Sequence, residues 1–300
     1  NNPYDPTRIV GGSSGGEGAI VGSGASLFGL GADVGGSIRM PAFFNGVFGH
    51  KCSPGLVTNE GQFPGPSGRV DRYLSTGPLC RRAEDLEPLL RILAGAAAER
   101  LKPVAAVDVS ALRVVQFARE LAITPDADQM DARDRAVQAL MARGARIEAV
   151  HLPLMAHARD LWTAMLASAG SDNTFADHMF GTRSPLAPLK ELGRLALRRS
   201  DHTFPLIALA LFERIPELTP ARTKKLCAQA LTLKLQLEDT LGDDGVLITP
   251  TYPTVAPKHY KAMLPPFNFV NCAIFNALSL PVTAVPTGLN AGGVPTGVQV

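Results

Sequence analysis

The clearest periodic pattern lies in the middle of the chain, where extended and helical segments alternate. Residues 112–117 read Leu-Arg-Val-Val-Gln-Phe and predict a buried strand, and 146–150 predict another. Between them, apolar residues recur every three or four positions over 126–143, which predicts an amphipathic helix that ends at Gly144. Strand, helix and strand in this order predict a βαβ unit over about 110–152 with two parallel strands.

Apolar runs also mark the segments after this unit. Helical patterns broken by prolines fill most of 153–241, and short apolar runs at 246–248 and 280–286 are typical of strands buried on both faces. No linker interrupts these patterns. We therefore predict a single incomplete α/β domain over 1–300, with a mixed, mostly parallel central sheet covered by helices on both faces and with its last strands in 245–300.

The segment 1–80 follows neither pattern, because it contains most of the glycines. Small residues fill 15–27, and Ser14 with Glu17 fits a helix-capping box, S-x-x-E. These features predict a helix over 15–27, which must be buried to be stable. A phosphate-binding loop is excluded, since no lysine follows these glycines before Lys51.

Composition and charge exclude several classes of protein. Of the 300 residues, 46% are hydrophobic, which excludes a disordered chain, and a net charge of +2 provides no basic field for a nucleic acid. The 4 cysteines and 6 histidines lie too far apart for a disulfide scaffold or a metal cluster, so we expect no metal and no cofactor. The chain begins at Asn1 and stops at Val300 within a strand pattern, so we expect an internal part of a longer protein. Without a signal peptide or a membrane span in this sequence, we expect a cytoplasmic or membrane-associated intracellular location.

Serine is the chemically informative residue of the glycine-rich segment. Ser13 and Ser14 lie at the predicted helix start, and Ser37 follows a glycine pair in the run 33–39. Glycines allow several main-chain N–H groups to converge on one point, which suits a developing oxyanion. The Ser37 hydroxyl beside such a turn is therefore the candidate nucleophile.

Other interpretations of these residues stay open. The run 11–15 matches G-x-S-x-G, the nucleophile elbow of α/β-hydrolases, which would make Ser13 the nucleophile with His202 or His259 as its base. No strand pattern leads into this run, which disfavours the elbow. One of the two adjacent serines could also simply cap the helix. Three further residues are interpreted as structural: Arg39 as an ion-pair partner of Asp33, Lys51, and Trp162 in the core.

The two serine motifs together resemble the amidase-signature family. The first is Gly-Gly-Ser-Ser-Gly-Gly at 11–16, and the second is Asp-Val-Gly-Gly-Ser-Ile-Arg at 33–39. Shorter matches extend the resemblance over nearly the whole chain and favour the branch of fatty-acid amide hydrolases. They lie at 1–4, 36–46, 49–51, 241–246, 253–259 and 280–283. The resemblance implies an amidase-signature fold and hydrolysis of a hydrophobic carboxylic amide through an acyl-enzyme.

The resemblance also implies a role for each residue of the two motifs. Ser37 would be the acylated nucleophile, and Ser13 would relay its proton within a Ser-cisSer-Lys triad whose lysine lies upstream of this chain. A cis peptide bond would join Gly12 to Ser13. The implied oxyanion-hole donors are the N–H groups of Val34, Gly35, Gly36 and Ser37. The implied supporting residues are Ser14, Asp33 and Arg39.

Two alternative functions remain: a transamidase resembling the A-type subunit of glutamyl-tRNA amidotransferase, and a non-catalytic interaction protein that retains the fold. As partners we expect a small-molecule amide and no nucleic acid, and a homodimer is left open. The stretch 185–214 combines an apolar run with Arg194, Arg198 and Arg199, which favours either contact with a membrane surface or the lining of an acyl channel. A helix pair buried inside the domain explains the same pattern.

Overall fold

The computed structural model describes residues 1–62, 71–117, 120–169, 175–182, 184, 186–202, 204–212, 219–261 and 267–300. Its strands are β1 (Phe28–Asp33), β2 (Phe48–Lys51), β3 (Ser75–Cys80), β4 (Arg113–Phe117), β5 (Arg146–Val150), β6 (Gly245–Leu247), β7 (Thr249–Pro250), β8 (Val282–Leu289) and β9 (Pro295–Gln299). Its helices are α1 (Gly15–Gly22), α2 (Arg39–Phe44), α3 (Leu86–Ala94), α4 (Ala127–Met141), α5 (Ala158–Ser168), α6 (Phe175–Phe180), α7 (Ala187–Ala196), α8 (Phe204–Phe212), α9 (Pro220–Leu241) and α10 (Val270–Ala277).

The larger sheet joins strands from both ends of the chain. Within the described residues it has six strands in the order β1-β3-β2-β8-β9-β7. In the register of its first pair, Asp33 at the end of β1 lies opposite Ser75, and β2 pairs with β8 through Gly49 and Ala284. The carboxyl end of β1 is therefore held by β3, which itself pairs with β2 further into the sheet.

Parallel strands occur in the smaller sheet, which has three strands in the order β5-β4-β6. Arg113 of β4 lies opposite Arg146 of β5 and Gly245 of β6, and both pairs are parallel. The elements β4, α4 and β5 thus form the βαβ unit that the periodic pattern predicts. The segment 245–250 that follows α9 contributes to both sheets, because β6 pairs with β4 whereas β7 pairs with β9.

The α/β fold class is confirmed, but the expectation of mostly parallel strands is corrected. Every neighbouring pair that the structure describes in the six-stranded sheet is antiparallel. Two strands that follow each other in the sequence can pair in parallel only through a crossover connection, which is usually a helix. Strands from distant parts of the chain can pair in either direction. An apolar run has the same appearance in both kinds of buried strand, so the sequence pattern does not distinguish them.

Helices cover both faces of the larger sheet, as predicted. Ala284 of β8 packs in a cluster with Ile38 and Ala42 beside and within α2. Its neighbour Val285 packs in another cluster with Val137 of α4. Successive residues of a strand point to opposite faces, so α2 and α4 lie on opposite sides of the sheet.

The predicted helix over 15–27 is too long, and a strand follows it that the pattern did not reveal. Helix α1 ends at Gly22, and Phe28–Asp33 forms β1. A Cβ atom on Gly31 would lie 2.7 Å from the Ser14 hydroxyl oxygen, so glycine lets this strand pass close to the start of the helix.

No helix that the structure describes combines the length and the apolar character needed to cross a membrane.

Candidate active site

A main-chain hydrogen bond brings the two serine motifs together. The N–H of Ser14 donates to the carbonyl oxygen of Ser37 over 3.2 Å. The peptide bond between Gly12 and Ser13 is cis, as the resemblance implies. Ser13 is exposed and Ser37 is partly exposed among the residues that the structure describes.

The side chain of Ser14 links the start of α1 to the end of β1. Its hydroxyl accepts a hydrogen bond from the Ala32 N–H at 3.2 Å. Ser14 occupies the N-cap position of α1, but its side chain makes no capping hydrogen bond, so the predicted capping box is wrong. The hydroxyl is used across the chain instead, where it holds the first serine motif against the strand that leads into the second.

The turn from the end of β1 to the start of α2, residues 33–38 (the serine turn), is organised around the carboxylate of Asp33. One carboxylate oxygen accepts the Gly36 N–H at 2.7 Å, and the other accepts the Ile38 N–H at 3.1 Å. Gly36 has a φ of +113°, and a Cβ atom on it would lie 2.8 Å from the Cβ atom of Cys272. Both the backbone conformation and the available space therefore require glycine at this position.

Arg39 forms a buried bidentate pair with Asp33, as the sequence predicts. Its Nε and Nη2 atoms each lie 3.0 Å from a carboxylate oxygen, and both side chains are fully buried. The remaining guanidinium donors reach the carbonyl oxygen of Cys272 at 2.9 Å, Gln299 Oε1 at 3.0 Å and Asn276 Oδ1 at 2.5 Å. The pair thus ties the serine turn to α10 and β9 with its donors satisfied.

The electrostatics of this region favour an ionised Asp33. Burial alone would raise the pKa of Asp33, but the charge and hydrogen bonds of Arg39 and the charge of Lys51 lower it well below its ordinary value. Lys51 is itself buried, and burial together with the charge of Arg39 lowers its pKa to about 8. Its ammonium group donates to the carbonyl oxygen of Cys52 at 3.1 Å, which supports the structural interpretation of this lysine.

The main-chain N–H groups of the turn differ in their availability. Those of Val34, Gly35 and Ser37 donate to no acceptor among the residues that the structure describes. The N–H of Gly36 donates to the Asp33 carboxylate, so it is not available as the oxyanion donor that the resemblance implied. Three of the four predicted donors therefore have no hydrogen-bond acceptor among the described residues.

Two residues that sequence reasoning did not assign to the site contact this turn. The indole N–H of Trp162 donates to the Val34 carbonyl oxygen at 3.0 Å, and the Asn276 side-chain amide donates to the Asp33 carbonyl oxygen at 2.8 Å. Trp162 is 7% exposed, so its interpretation as a core residue is correct but incomplete. No local motif could reveal these contacts, since 128 residues separate Trp162 from Val34.

The histidines of the alternative nucleophile elbow lie elsewhere. The His259 ring contacts the carbonyl oxygen of Pro6 at 3.1 Å, and the His202 ring packs against Phe180. Within the described ranges neither ring forms a hydrogen bond with Ser13. The geometry therefore gives this serine neither of the two histidines as a base.

Comparisons with known proteins indicate the same family that the two serine motifs resemble. A family model described as Amidase matches residues 1–300. Fatty-acid amide hydrolase 2 from Homo sapiens is 44% identical over 309 residues, which cover 100% of this chain and 58% of that protein. A glutamyl-tRNA(Gln) amidotransferase subunit from an Exiguobacterium strain, of the A type, is 31% identical over 320 residues, covering 100% of this chain and 65% of that protein. A crystal structure described as an amidase has a TM-score of 0.74 at 27% identity, covering 100% of this chain and 64% of that one.

The predicted resemblance to the amidase-signature enzymes and to the fatty-acid amide hydrolases is therefore confirmed. The chain spans 58% of the length of the human relative and 65% of the bacterial one. The family match, by contrast, extends over every residue from 1 to 300. This chain belongs to the amidase family.

Proposed function

We propose that the full-length protein hydrolyses a carboxylic amide through an acyl-enzyme on Ser37. The observation that carries this proposal is the hydrogen bond from the Ser14 N–H to the Ser37 carbonyl oxygen, which sets the two serine motifs side by side. Ser37 belongs to the same turn as the N–H groups of Val34 and Gly35, which have no acceptor among the described residues and can therefore bind an oxyanion. Family membership and the similarity to fatty-acid amide hydrolase 2 favour the same reaction.

Each residue has a defined part in the proposed reaction. The Ser37 oxygen attacks the amide carbonyl carbon while its proton passes to Ser13 and from there to a neutral lysine outside this chain. The carbonyl oxygen gains negative charge, which the N–H groups of Val34, Gly35 and Ser37 stabilise. Ser13 then gives a proton to the leaving amine nitrogen, the C–N bond breaks, and water releases the acid from Ser37. To act as the base, the lysine must be neutral, so its pKa must lie well below the ordinary value of about 10.4.

The substrate class follows from the relatives rather than from a described cavity. The human relative is named a fatty-acid amide hydrolase, so we propose an amide with a long apolar acyl chain. A transamidase is the second candidate, since a glutamyl-tRNA(Gln) amidotransferase subunit is also similar. Hydrolysis of a fatty-acid amide by the purified full-length protein, without ATP or tRNA, would favour the hydrolase over the transamidase.

Covalent labelling tests the proposed nucleophile. A fluorophosphonate probe applied to the full-length protein is expected to modify Ser37, because an activated serine hydroxyl attacks phosphorus as it attacks a carbonyl carbon. Peptide mapping by mass spectrometry identifies the modified residue, and Ser37→Ala serves as the unlabelled control. Labelling at Ser13 would instead support the nucleophile elbow, and an unlabelled wild-type protein would support a non-catalytic interaction protein.

We also propose that α7 and α8 contact a membrane surface. Six large apolar residues in and beside these helices are at least 37% exposed: Leu186, Leu189, Leu192, Leu197, Phe204 and Leu206. Arg194, Arg198 and Arg199 are exposed beside them, a combination that suits an interfacial helix pair on anionic lipid. Residues 185, 203, 213 and 214 of the predicted stretch lie outside the described residues.

Vesicle binding tests this membrane contact. Replacing Leu189 and Leu192 together by glutamate is expected to weaken binding of the full-length protein to anionic vesicles at least about tenfold, because both apolar side chains leave the lipid and two negative charges approach it. Co-sedimentation with vesicles measures the change. Leu231 and Leu235 of α9 are 56% and 58% exposed, so the same double replacement there is a matched control that should bind like the wild type. Equal binding by all three proteins would contradict the proposal.

A further inference from the structure

Three carbonyl oxygens of the serine turn each accept a hydrogen bond from a residue that follows the turn in the sequence. The Asn276 amide holds the Asp33 oxygen at 2.8 Å, and the Trp162 indole holds the Val34 oxygen at 3.0 Å. The Met40 N–H holds the Gly36 oxygen at 2.8 Å. Each of these carbonyls belongs to the peptide unit of a free N–H group in the turn.

Peptide geometry converts these contacts into control of the N–H directions. A peptide unit is planar and trans, so its C=O and N–H bonds point in nearly opposite directions. A donor that fixes the Val34 carbonyl therefore also fixes the direction of the Gly35 N–H. In the same way, the Asn276 contact fixes the Val34 N–H, and the Met40 contact fixes the Ser37 N–H.

The position of Trp162 is itself well determined. Its ring lies edge-on to Phe269 with 5.3 Å between centroids. Its Cζ2 atom lies 3.4 Å from the place that a Cβ atom on Gly35 would occupy. A buried indole N–H needs an acceptor, and here the Val34 carbonyl oxygen is that acceptor. Helix α5, which carries Trp162, packs against α10, which carries Asn276.

We infer that Trp162 is a positioning residue for the oxyanion hole, because its indole N–H orients the Gly35 N–H toward the developing oxyanion. Trp162 does not touch the reacting atoms and acts only through the peptide unit between Val34 and Gly35. This inference rests on the proposed function, since an oxyanion arises only if Ser37 is acylated. Removing the indole donor should therefore weaken the stabilisation of the transition state and leave the binding of the substrate unchanged.

The test removes the indole donor and keeps the ring. Trp162→Phe in the full-length protein is expected to lower kcat for a fatty-acyl p-nitroanilide by about 10- to 100-fold, somewhat less than the loss of a whole oxyanion donor, with KM nearly unchanged. The affinity for an alkyl trifluoromethyl ketone, which forms a hemiketal oxyanion with the serine, should fall by the same factor. Incorporation of β-(3-benzothienyl)alanine at position 162 should have the same effect, because sulfur replaces the N–H within an isosteric ring.

Val137→Ala provides the matched control. Val137 is 3% exposed and lies in α4, on the side of the larger sheet opposite α2, so its truncation should lower the Tm while leaving kcat unchanged. The inference is overturned if the benzothienyl protein keeps the wild-type kcat and ketone affinity, or if kcat falls equally in the Val137 variant. Failure of the fluorophosphonate to label Ser37 in the wild-type protein would instead overturn the proposed function, and the two failures are therefore distinguishable.

Discussion

Replacing Ser37 by alanine in the full-length protein is expected to lower kcat for amide hydrolysis by about 10⁶-fold, which is the scale of losing an acylated nucleophile. Ser13→Ala should cost less, about 10²- to 10⁴-fold, since it removes the proton relay and keeps the attacking oxygen. The double variant should be no slower than Ser37→Ala alone, because both residues act in one step. Steady-state kinetics on the three purified variants measures these differences.

Ser26 offers a matched control for these two serines. It is partly exposed, and its hydroxyl donates to the Phe28 carbonyl oxygen at 2.7 Å, outside the serine turn. Ser26→Ala should therefore keep the wild-type kcat. A Ser37 variant that still turns over, beside an inactive Ser13 variant, would exchange the roles proposed for the two residues.

Asp33→Asn is expected to destabilise the protein by about 3–5 kcal/mol at neutral pH. The change leaves the guanidinium of Arg39 buried without its counter-charge, and an unpaired buried charge is much more costly than a lost surface pair. Urea unfolding of the full-length protein measures the loss. Asp134→Asn is the control, because Asp134 is 51% exposed and its pair with Arg133 should contribute less than about 1 kcal/mol. Equal losses in the two variants would contradict the buried-pair argument.

The same variant should change how stability depends on pH. The pKa of Asp33 lies below its ordinary value of 3.8 in the folded protein, so the unfolded chain binds this proton more readily. The contribution of the ionised carboxylate to the free energy of unfolding is therefore complete above about pH 4, and it is lost as the pH falls toward the pKa of Asp33 in the folded protein. Asparagine does not titrate in this range. The difference in unfolding free energy between wild type and Asp33→Asn should consequently narrow below about pH 4.

The parts of the site that lie close together in sequence were predictable. Ser37 follows a glycine pair, Ser13 lies in its own glycine-rich run, and the ion pair between Asp33 and Arg39 spans six residues. Similarly, the βαβ unit over β4, α4 and β5 is a local structure with strong periodicity. In each case one short segment contains both the pattern and the structure that it predicts.

The parts that depend on distant contacts were not predictable. Strand β1 alternates between exposed and buried positions, but Phe28 and Leu30 are exposed whereas Gly29 and Gly31 are buried, the reverse of the usual placement of large apolar residues. The residues that fix the direction of the turn, Trp162 and Asn276, contact it across 128 and 243 residues. The engagement of the Gly36 N–H by Asp33 depends on the folded geometry of the turn rather than on its composition.

The contact between Arg39 and Asn276 also has a consequence for protein synthesis. The two residues are separated by 237 positions, so at about 5–20 residues per second the ribosome adds Asn276 roughly ten to fifty seconds after Arg39. Throughout that interval the nascent polypeptide contains both serines but has neither the amide of Asn276 nor the carbonyl of Cys272 to receive the guanidinium. The growing chain therefore contains Ser13 and Ser37 early, and the turn that carries Ser37 gains its final geometry only after translation has passed α10.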